Sequence, residues 1–167
     1  MLPFAEDRAY GRILNAESEE EMALARLIYV SRMTEECDME SLHKILTVSR
    51  RNNLARGITG VLFYDPKFFL QCLEGPVEVV NELYANILLD GRHTRVTLLE
   101  YHDTDRRLFG SWAMAFLRLN ELTPDMMAQA GCSGRFDPFS LGSEEARNFL
   151  VAIVGQRQAQ LESQKEK

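Results

Sequence analysis

A single polar side chain interrupts an otherwise apolar stretch near the middle of the chain. From Phe68 to Leu73 every residue except Gln71 is apolar, which is typical of a strand buried on both faces. The Gln71 amide carries two donors and an acceptor oxygen, and leaving a buried polar group unpaired costs about 1–3 kcal/mol. Its partner is therefore a backbone carbonyl, a water, or a polar ligand held against the sheet.

Composition places the chain among ordinary globular proteins. Its 167 residues are 46% apolar and 26% charged, which suffices for one domain with its own core. The net charge of −6 argues against general nucleic-acid binding, which needs a basic surface. No apolar run approaches the ~20 residues that span a bilayer, and we expect neither a membrane segment nor a secretory signal.

The cysteines and histidines predict no metal site. The three cysteines are widely spaced and form no CxxC pair, and the three histidines lack the spacing of metal ligands. Reduced, structural thiols of this kind indicate a cytoplasmic protein.

Hydrophobic periodicity and turn residues predict five strands and two helices between residues 24 and 118. In chain order they are a strand over Leu24–Ser31, a helix capped by Asp38 and ending near Asn53, a strand over Ile58–Tyr64, the Gln71 strand, a helix from Pro76 to Asp90, and strands over 94–101 and 111–118. The turn at 65–67 joins the second and third strands in a hairpin. The βαββαββ order predicts an α+β sandwich of ferredoxin-like type, with a mixed five-stranded sheet and both helices on one face.

The segments before and after this unit complete the predicted organisation. Residues 1–23 form an N-terminal extension with a solvated acidic run at 17–21. Residues 24–118 form the main domain, and residues 119–167 form a C-terminal helical appendage. Its longer helix opens at Ser143 and has an apolar stripe made of Phe149, Leu150, Ile153 and Val154. We expect these helices to cover the second face of the sheet.

Chemically capable side chains are spread over several of these elements. The inward stripe of the first helix begins apolar and ends polar; its members, at spacings of three and four, are Leu42, Ile45, Ser49 and Asn52. On the last predicted strand Trp112, Met114 and Phe116 share a face. The polar or redox-capable set comprises Tyr29, Asn52, Asn53, Gln71, Arg92, His93, Trp112 and Met114.

Seven short motifs, in order and without obvious gaps, make the chain similar to a known family. They are Arg26-Leu-Ile-Tyr29-Val-Ser31, Arg51-Asn-Asn53, Gly57-Ile-Thr-Gly60-Val-Leu62, Phe68-Phe-Leu-Gln71-Cys-Leu-Glu-Gly75, Asp90-Gly-Arg-His93, Arg107-Leu-Phe109 and Trp112-Ala-Met114. With these motifs the chain resembles the BLUF domains, flavin-binding blue-light sensors, from about Leu24 to Leu117. Each motif alone is weak, but seven in order are specific.

The resemblance implies a photoreceptor without enzymatic turnover. It implies FAD, or FMN, bound with its ring between the two helices and the ring edge toward the sheet. Tyr29 matches the electron donor to the excited flavin, and Gln71 matches the amide between that tyrosine and the flavin. Light then drives electron and proton transfer from Tyr29, after which Gln71 rotates or tautomerises and makes a new hydrogen bond to the flavin carbonyl. An amide suits this role because its donor and acceptor ends can exchange in place.

The resemblance also implies a set of flavin contacts. They are Ile45, Ser49, Asn52, Asn53, Phe69, Gln71, Leu73, Ile87, Asp90, Arg92 and His93. For the adjacent pair Asn52 and Asn53 the alternative is a helix cap, which asparagine favours. For Arg92 and His93 the alternative is a solvated surface pair.

Trp112 and Met114 match the output strand of the family, where either of them lies near Gln71. The alternative for both is plain core packing. About fifty residues follow the sensor, as in short BLUF proteins that signal through protein contacts. The resemblance thus implies that the light signal passes from Gln71 through the last strand to the C-terminal helices. There it shifts the equilibrium of a homo-oligomer, a dimer or larger, or the binding of an unknown protein partner.

Three other interpretations remain open. The main rival is a flavin-free, ferredoxin-like protein-interaction module that keeps the motif residues as packing. An enzyme of acylphosphatase type needs a glycine-rich anion loop after the first strand, where this chain has residues 31–34, Ser-Arg-Met-Thr. An RNA-binding sheet is disfavoured because the charge is acidic and the glycine-aromatic pattern is missing.

Overall fold

The computed structural model describes residues 23–35, 37–132 and 134–165. Its strands are β1 (Leu24–Met33), β2 (Thr59–Asp65), β3 (Phe68–Pro76), β4 (His93–Thr104) and β5 (Ala115–Arg118), and its helices are α1 (Met39–Ala55), α2 (Val77–Leu89), α3 (Pro124–Gln129) and α4 (Ser143–Lys165). The acidic run predicted near the N-terminus lies outside the described residues. Within those ranges no helix is both long enough and apolar enough to cross a membrane.

The strands form one mixed sheet in the order β4-β1-β3-β2-β5. β1 pairs antiparallel with β3 and with β4, and β2 pairs antiparallel with β3 through the predicted hairpin. β5 lies parallel to β2 at the far edge. This arrangement confirms the predicted α+β fold of ferredoxin-like type, and it puts the Gln71 strand at the centre of the sheet.

Helix α1 begins where the sequence predicts it. The Asp38 carboxylate accepts a hydrogen bond from the Ser41 backbone N–H at 2.7 Å, which satisfies one of the free donors of the first turn. Beyond the end of the helix Gly57 has a φ of 71°, in the left-handed region that glycine adopts without strain. Leu42 and Asn53 are among the side chains that α1 buries.

Apolar side chains cover both faces of the sheet. On one face α1 and α2 pack over alternate strand residues, and the buried members of this helix-face cluster are Ala25, Leu27, Tyr29, Cys37, Leu42, Leu46, Ile58, Leu62, Tyr64, Phe69, Leu73, Val80 and Met114. On the other face the strand residues pack against α4, which contributes Ala146, Phe149, Leu150, Ile153 and Val154. The predicted apolar stripe of the last helix therefore covers the second face of the sheet.

The last strand is shorter than the sequence predicts. Only Ala115–Arg118 is a strand, and the preceding residues 111–114 are irregular. Three carbonyl groups of this irregular segment have partners outside a strand ladder: Trp112 accepts from the Gly60 N–H at 3.0 Å, Ala113 from the Asn53 side chain at 3.2 Å, and Met114 from Arg50 Nε at 3.0 Å. The segment is fixed mainly by α1, so it does not need to be a strand.

Trp112 and Met114 consequently do not share a face, contrary to the sequence prediction. Met114 belongs to the helix-face cluster, whereas Trp112 packs against the cluster formed with α4. Phe116 lies with Met114 on the helix face. Two-residue alternation describes only the part of the segment that is a strand.

Packing of α4 predicts a large effect for one substitution. Phe149 is 1% exposed, and its ring centroid lies 5.2 Å from that of Phe63 and 4.6 Å from that of Phe136. We expect Phe149→Ala to lower the free energy of unfolding by about 3–5 kcal/mol, because it leaves a cavity in the core. The matched control is Val151→Ala on the exposed side of α4, where a change within about 0.5 kcal/mol is expected. Equal losses in urea titrations of the two variants would contradict this packing.

Candidate functional site

Tyr29 and Gln71 form a direct cross-strand pair. They are partners in the register of β1 with β3, and both side chains point to the face covered by α1 and α2. The Tyr29 O–H donates to Gln71 Oε1 at 2.5 Å. The tyrosine is 1% exposed, so this bond satisfies a buried phenol and the acceptor end of the amide together.

The donor end of the Gln71 amide has a weaker partner. Its Nε2 donates to the Met114 sulfur at 3.4 Å, and a thioether is a weak acceptor. A stronger hydrogen-bond acceptor placed beside this nitrogen would therefore replace Met114 as its partner, because little hydrogen-bond energy is lost with the sulfur. Of the two sequence candidates, Met114 lies next to the amide, and Trp112 packs on the opposite side of the sheet.

A cavity of about 230 Å³ lies over this pair. Apolar side chains from α1, α2 and the sheet form most of its wall, and polar groups are placed at separate points around it. The lining residues are Tyr29, Cys37, Leu42, Ile45, Leu46, Ser49, Asn53, Leu62, Phe69, Gln71, Leu83, Asn86, Ile87, Asp90, Arg92, His93 and Met114. An apolar cavity with a few fixed polar groups is the usual form of a small-molecule site.

An ion pair and a histidine lie at the end of the cavity where α2 leads into β4. Asp90 and Arg92 form a salt bridge, and the hydrogen bond from Arg92 lowers the pKa of the Asp90 carboxyl. His93 Nδ1 lies 2.8 Å from the Ser31 hydroxyl, and burial lowers the pKa of the imidazole. Arg92 and His93 are thus partly buried groups that line the cavity, and both are held in place by a neighbour.

The two adjacent asparagines are in different surroundings. Asn53 is 5% exposed, lines the cavity and donates to the Ala113 carbonyl at 3.2 Å. Asn52 is exposed and does not line the cavity, and its backbone carbonyl accepts from the Arg56 N–H at the helix end. Consecutive helical residues point about 100° apart, which accounts for the difference.

The structure brings together most of the residues that the sequence singles out. Of the implied flavin contacts, all except Asn52 and Leu73 line the cavity; Leu73 is fully buried within the helix-face cluster. The lining residues that were not among the implied flavin contacts or the photoactive set are Cys37, Leu42, Leu46, Leu62, Leu83 and Asn86. The sequence already placed Leu42 on the inward stripe of the first helix. Leu46 lies four residues further along the same helix, and Leu62 is the strand partner of Gln71.

These groups fit a flat heteroaromatic cofactor whose edge carries hydrogen-bonding atoms. The cavity would admit such a ring between the apolar side chains of α1 and α2, with its edge toward Asn53 and the weakly bonded Gln71 nitrogen. Tyr29 adds an oxidisable phenol within hydrogen-bond reach of the amide. Among the described residues no cluster of three His, Cys, Asp or Glu side chains is suitable for a metal ion. The fold and the site thus define an α+β domain with a cavity suited to a planar organic ligand.

Comparison with known families agrees with this geometry. The family model BLUF, described as sensors of blue-light using FAD, matches residues 24–115. The chain therefore belongs to the BLUF family of flavin-binding blue-light sensors, as its motifs predict.

Two curated relatives show the range of the family. The chain is 34% identical over 108 residues to the photoactivated adenylate cyclase subunit beta of Euglena longa, matching 64% of this chain and 13% of the relative. It is 32% identical over 100 residues to the blue light- and temperature-regulated antirepressor BluF of Escherichia coli (strain K12), matching 59% of this chain and 25% of the relative. The match thus spans a quarter or less of either relative's length.

Two solved structures resemble the whole arrangement more evenly. The photo-activated state of BlsA is 32% identical with a TM-score of 0.68, covering 76% of this chain and 91% of that one. The dark state of BlrB, a BLUF protein, is 28% identical with a TM-score of 0.67, covering 80% of this chain and 97% of that one.

Burial of Tyr29 predicts its behaviour in alkali. Burial raises the pKa of the phenol well above its ordinary value, and the nearby Tyr84 and Asp90 raise it further. The stability that Tyr29 contributes is therefore present below about pH 10, the ordinary value, and is lost as the pH rises above it. In an ultraviolet phenolate titration we expect Tyr29→Phe and the wild type to give equal amplitudes while both are folded.

The outcome that would contradict this expectation is a smaller amplitude in Tyr29→Phe than in the wild type while both are folded. Such a loss would mean that Tyr29 ionises in the folded protein, in contradiction to its 1% exposure.

Proposed function

We propose that this protein is a blue-light photoreceptor that holds FAD between α1 and α2 and signals through a rearrangement of Gln71. The observation that carries the proposal is the hydrogen bond from Tyr29 to Gln71 beneath the cavity. An oxidisable phenol, an amide with a weakly bonded donor end and an apolar cavity meet at one point. A simple packing role for Gln71 does not account for the cavity above it.

The cofactor contacts we propose divide into three groups. Ile45 and Ser49 of α1, Ile87 of α2 and Phe69 of β3 contact the ring. Asn53 and Gln71 serve its hydrogen-bonding edge. Asp90, Arg92 and His93 lie toward the ribityl and phosphate end, where a guanidinium suits an anion. Asn52 and Leu73 do not line the cavity: Asn52 takes part in the end of α1, and Leu73 packs within the helix-face cluster.

Held between α1 and α2, a flavin would supply the absorption of blue light and an excited state able to take up an electron. Tyr29 is the donor that lies beneath the cavity, and its burial makes the phenol release a proton only to a bonded acceptor. That acceptor is Gln71 Oε1, at 2.5 Å from the phenol oxygen. With that proton at Oε1, the amide would release one proton from Nε2 toward the flavin, which leaves its imidic tautomer or allows the side chain to rotate. Either change exchanges the donor and acceptor ends of Gln71 and breaks the bond from Nε2 to Met114.

Release of Met114 is the first step of the proposed output path. Met114 immediately precedes β5, in which Ala115 and Leu117 pack into the cluster formed with α4. A shift of Met114 thus reaches α4 through the backbone of β5. We propose residues 24–118 as the sensing unit and 119–167 as the output unit, which changes the affinity of the protein for a partner or for a second copy of itself. The protein itself catalyses no turnover of a substrate.

A purified sample tests the proposal at once. We expect a yellow protein whose flavin absorption shifts reversibly to the red under blue light. Gln71→Leu should keep the flavin and lose the shift, because leucine offers no donor or acceptor to exchange. The control Gln158→Leu on α4, with its exposed side chain, should keep the normal shift. A colourless protein that ignores added FAD would support the flavin-free interaction module instead.

The role of Tyr29 has a separate test. Tyr29→Phe keeps the ring and removes the phenol, so the variant should bind flavin and lose the normal photocycle. The control Tyr101→Phe on β4 should retain it. Transient absorption after a blue flash is the measurement, and an unchanged cycle in Tyr29→Phe would remove this residue as the donor.

The Asp90–Arg92 end of the cavity is where we propose that the phosphate of the flavin binds. When the protein is denatured and the released flavin is identified by chromatography, we expect FAD, with FMN as the alternative outcome. Arg92→Met should raise the flavin Kd by about tenfold or more, because a charged hydrogen bond contributes ~1.5–3 kcal/mol. The control Lys44→Met removes an exposed cation of α1, and its Kd should match the wild type. Equal values for all three proteins would place the phosphate away from Arg92.

A further inference from the structure

The strands that carry Tyr29 and Gln71 also carry buried charges on their opposite face. Arg26 lies three residues before Tyr29 and Glu74 three residues after Gln71, so both point away from the cavity. Arg26 is 6% exposed and Glu74 is fully buried. Buried charges are costly unless they are paired, so this pair has a defined set of partners.

Glu74 fixes the chain that follows β4. One carboxylate oxygen accepts from Arg26 Nε at 2.7 Å and from the Leu108 N–H at 2.9 Å. The other accepts from the Phe109 N–H at 2.9 Å. The carboxylate therefore holds β1, β3 and the segment leading to β5 together at one point.

His102 of β4 continues the contacts toward the edge of the sheet. Its Nδ1 donates to the Asp103 carbonyl at 2.7 Å, and its Nε2 lies 3.4 Å from Arg26 Nη1 and 3.1 Å from Glu100 Oε1. A neutral ring accepts from Arg26 through Nε2, and a charged ring donates to Glu100 through the same atom. In either state the ring bonds to one of these two neighbours and touches both.

Glu100 then reaches the beginning of α4. It is 6% exposed, and its Oε2 accepts from the Ser143 hydroxyl at 2.8 Å and from Arg147 Nη1 at 2.7 Å. Ser143 is the first residue of α4, where a carboxylate also favours the helix dipole. The first two turns of the helix are thus bonded to the edge strand, in addition to its apolar contacts with the sheet.

A bulge separates this contact from the tyrosine row. In the pairing of β1 with β4, Ile28 opposes Glu100 whereas Tyr29 opposes Leu98, so Leu99 is an extra residue. Bulges are local irregularities where a strand bends and its twist changes. A displacement of β1 at Tyr29 can therefore change the position of Glu100 without breaking the sheet.

We propose that the charge network Glu74–Arg26–His102–Glu100–Arg147 is a second output path, which transmits displacements of β1 and β3 to the start of α4. It differs from the path through Met114 and β5 because it reaches α4 at Ser143 and Arg147 through Glu100, and it rests on the proposed light response at Tyr29 and Gln71. Glu100 is its decisive positioning residue, because it is the member that bonds the sheet to α4.

The test compares hydrogen exchange of α4 in darkness and under blue light, using the full, flavin-loaded chain. Glu100→Gln keeps the shape of the side chain and removes its charge. We expect a normal red shift in this variant, together with a light-minus-dark exchange difference over residues 143–153 that falls to less than half of the wild-type value. Arg147→Met should behave in the same way. The double variant should show the same reduced exchange difference as either single variant, because both substitutions remove the same Glu100–Arg147 interaction.

Two controls separate signalling from simple support of the fold. Arg147→Lys keeps a cation and should restore part of the exchange difference. Glu82→Gln removes an exposed ion pair between α2 and Arg56, the residue that follows α1, and should leave the difference intact. If Glu100→Gln and Arg147→Met raise exchange equally in darkness and in light, leaving the difference unchanged, the network is only structural and the proposal is wrong. Absence of a red shift in the wild type would instead refute the proposed function.

Discussion

The pairing of β1 with β3 fixes the geometry on which the site depends. Tyr29 and Gln71 are direct partners, so a shift of one residue in this register turns one of the two side chains to the other face of the sheet. The phenol and the amide also satisfy each other in an apolar surrounding, where an unpaired group is costly. Both strands are enclosed by β4 and β2, which leaves them no free edge along which to slip. The strand pairing that places Tyr29 opposite Gln71 is thus the same one that holds the sheet together.

The two faces of this sheet are packed differently: one is filled by side chains of α4, and the other has a cavity beneath α1 and α2. α4 packs on one face with side chains such as Phe149 and Ile153, which are almost completely buried. α1 and α2 leave a cavity over the other, and interiors are normally close-packed, so a cavity without a ligand lowers stability. A cofactor that binds only the folded protein restores that stability through its binding energy. In the proposed function a cofactor completes the cavity face, whereas α4 covers the other face with side chains of the chain itself.

Local signals in the sequence predicted the strands, the helix starts and the central place of Gln71, because each depends on neighbours along the chain. They failed at residues 111–114, where the alternation of Trp112, Met114 and Phe116 resembles a strand. That segment is held by Arg50 and Asn53 of α1, about sixty residues away, and no periodicity within it reports such contacts. The same limit applies to Cys37, which lines the cavity from the loop before α1, where no helical or strand period exists. The motif resemblance supplied most of the site because it encodes long-range placement that periodicity lacks.

Buried charge is the feature for which sequence and structure complement each other most clearly. Arg26 and Glu74 stand in motifs beside Tyr29 and Gln71, yet only the register reveals that they face each other on the opposite side of the sheet. Two strands therefore carry the Tyr29–Gln71 hydrogen bond on one face and the Arg26–Glu74 ion pair on the other. Because packed elements shift as units, the proposed light response would displace both pairs together. In that proposal the photochemistry and the output lie on opposite faces of the same two strands.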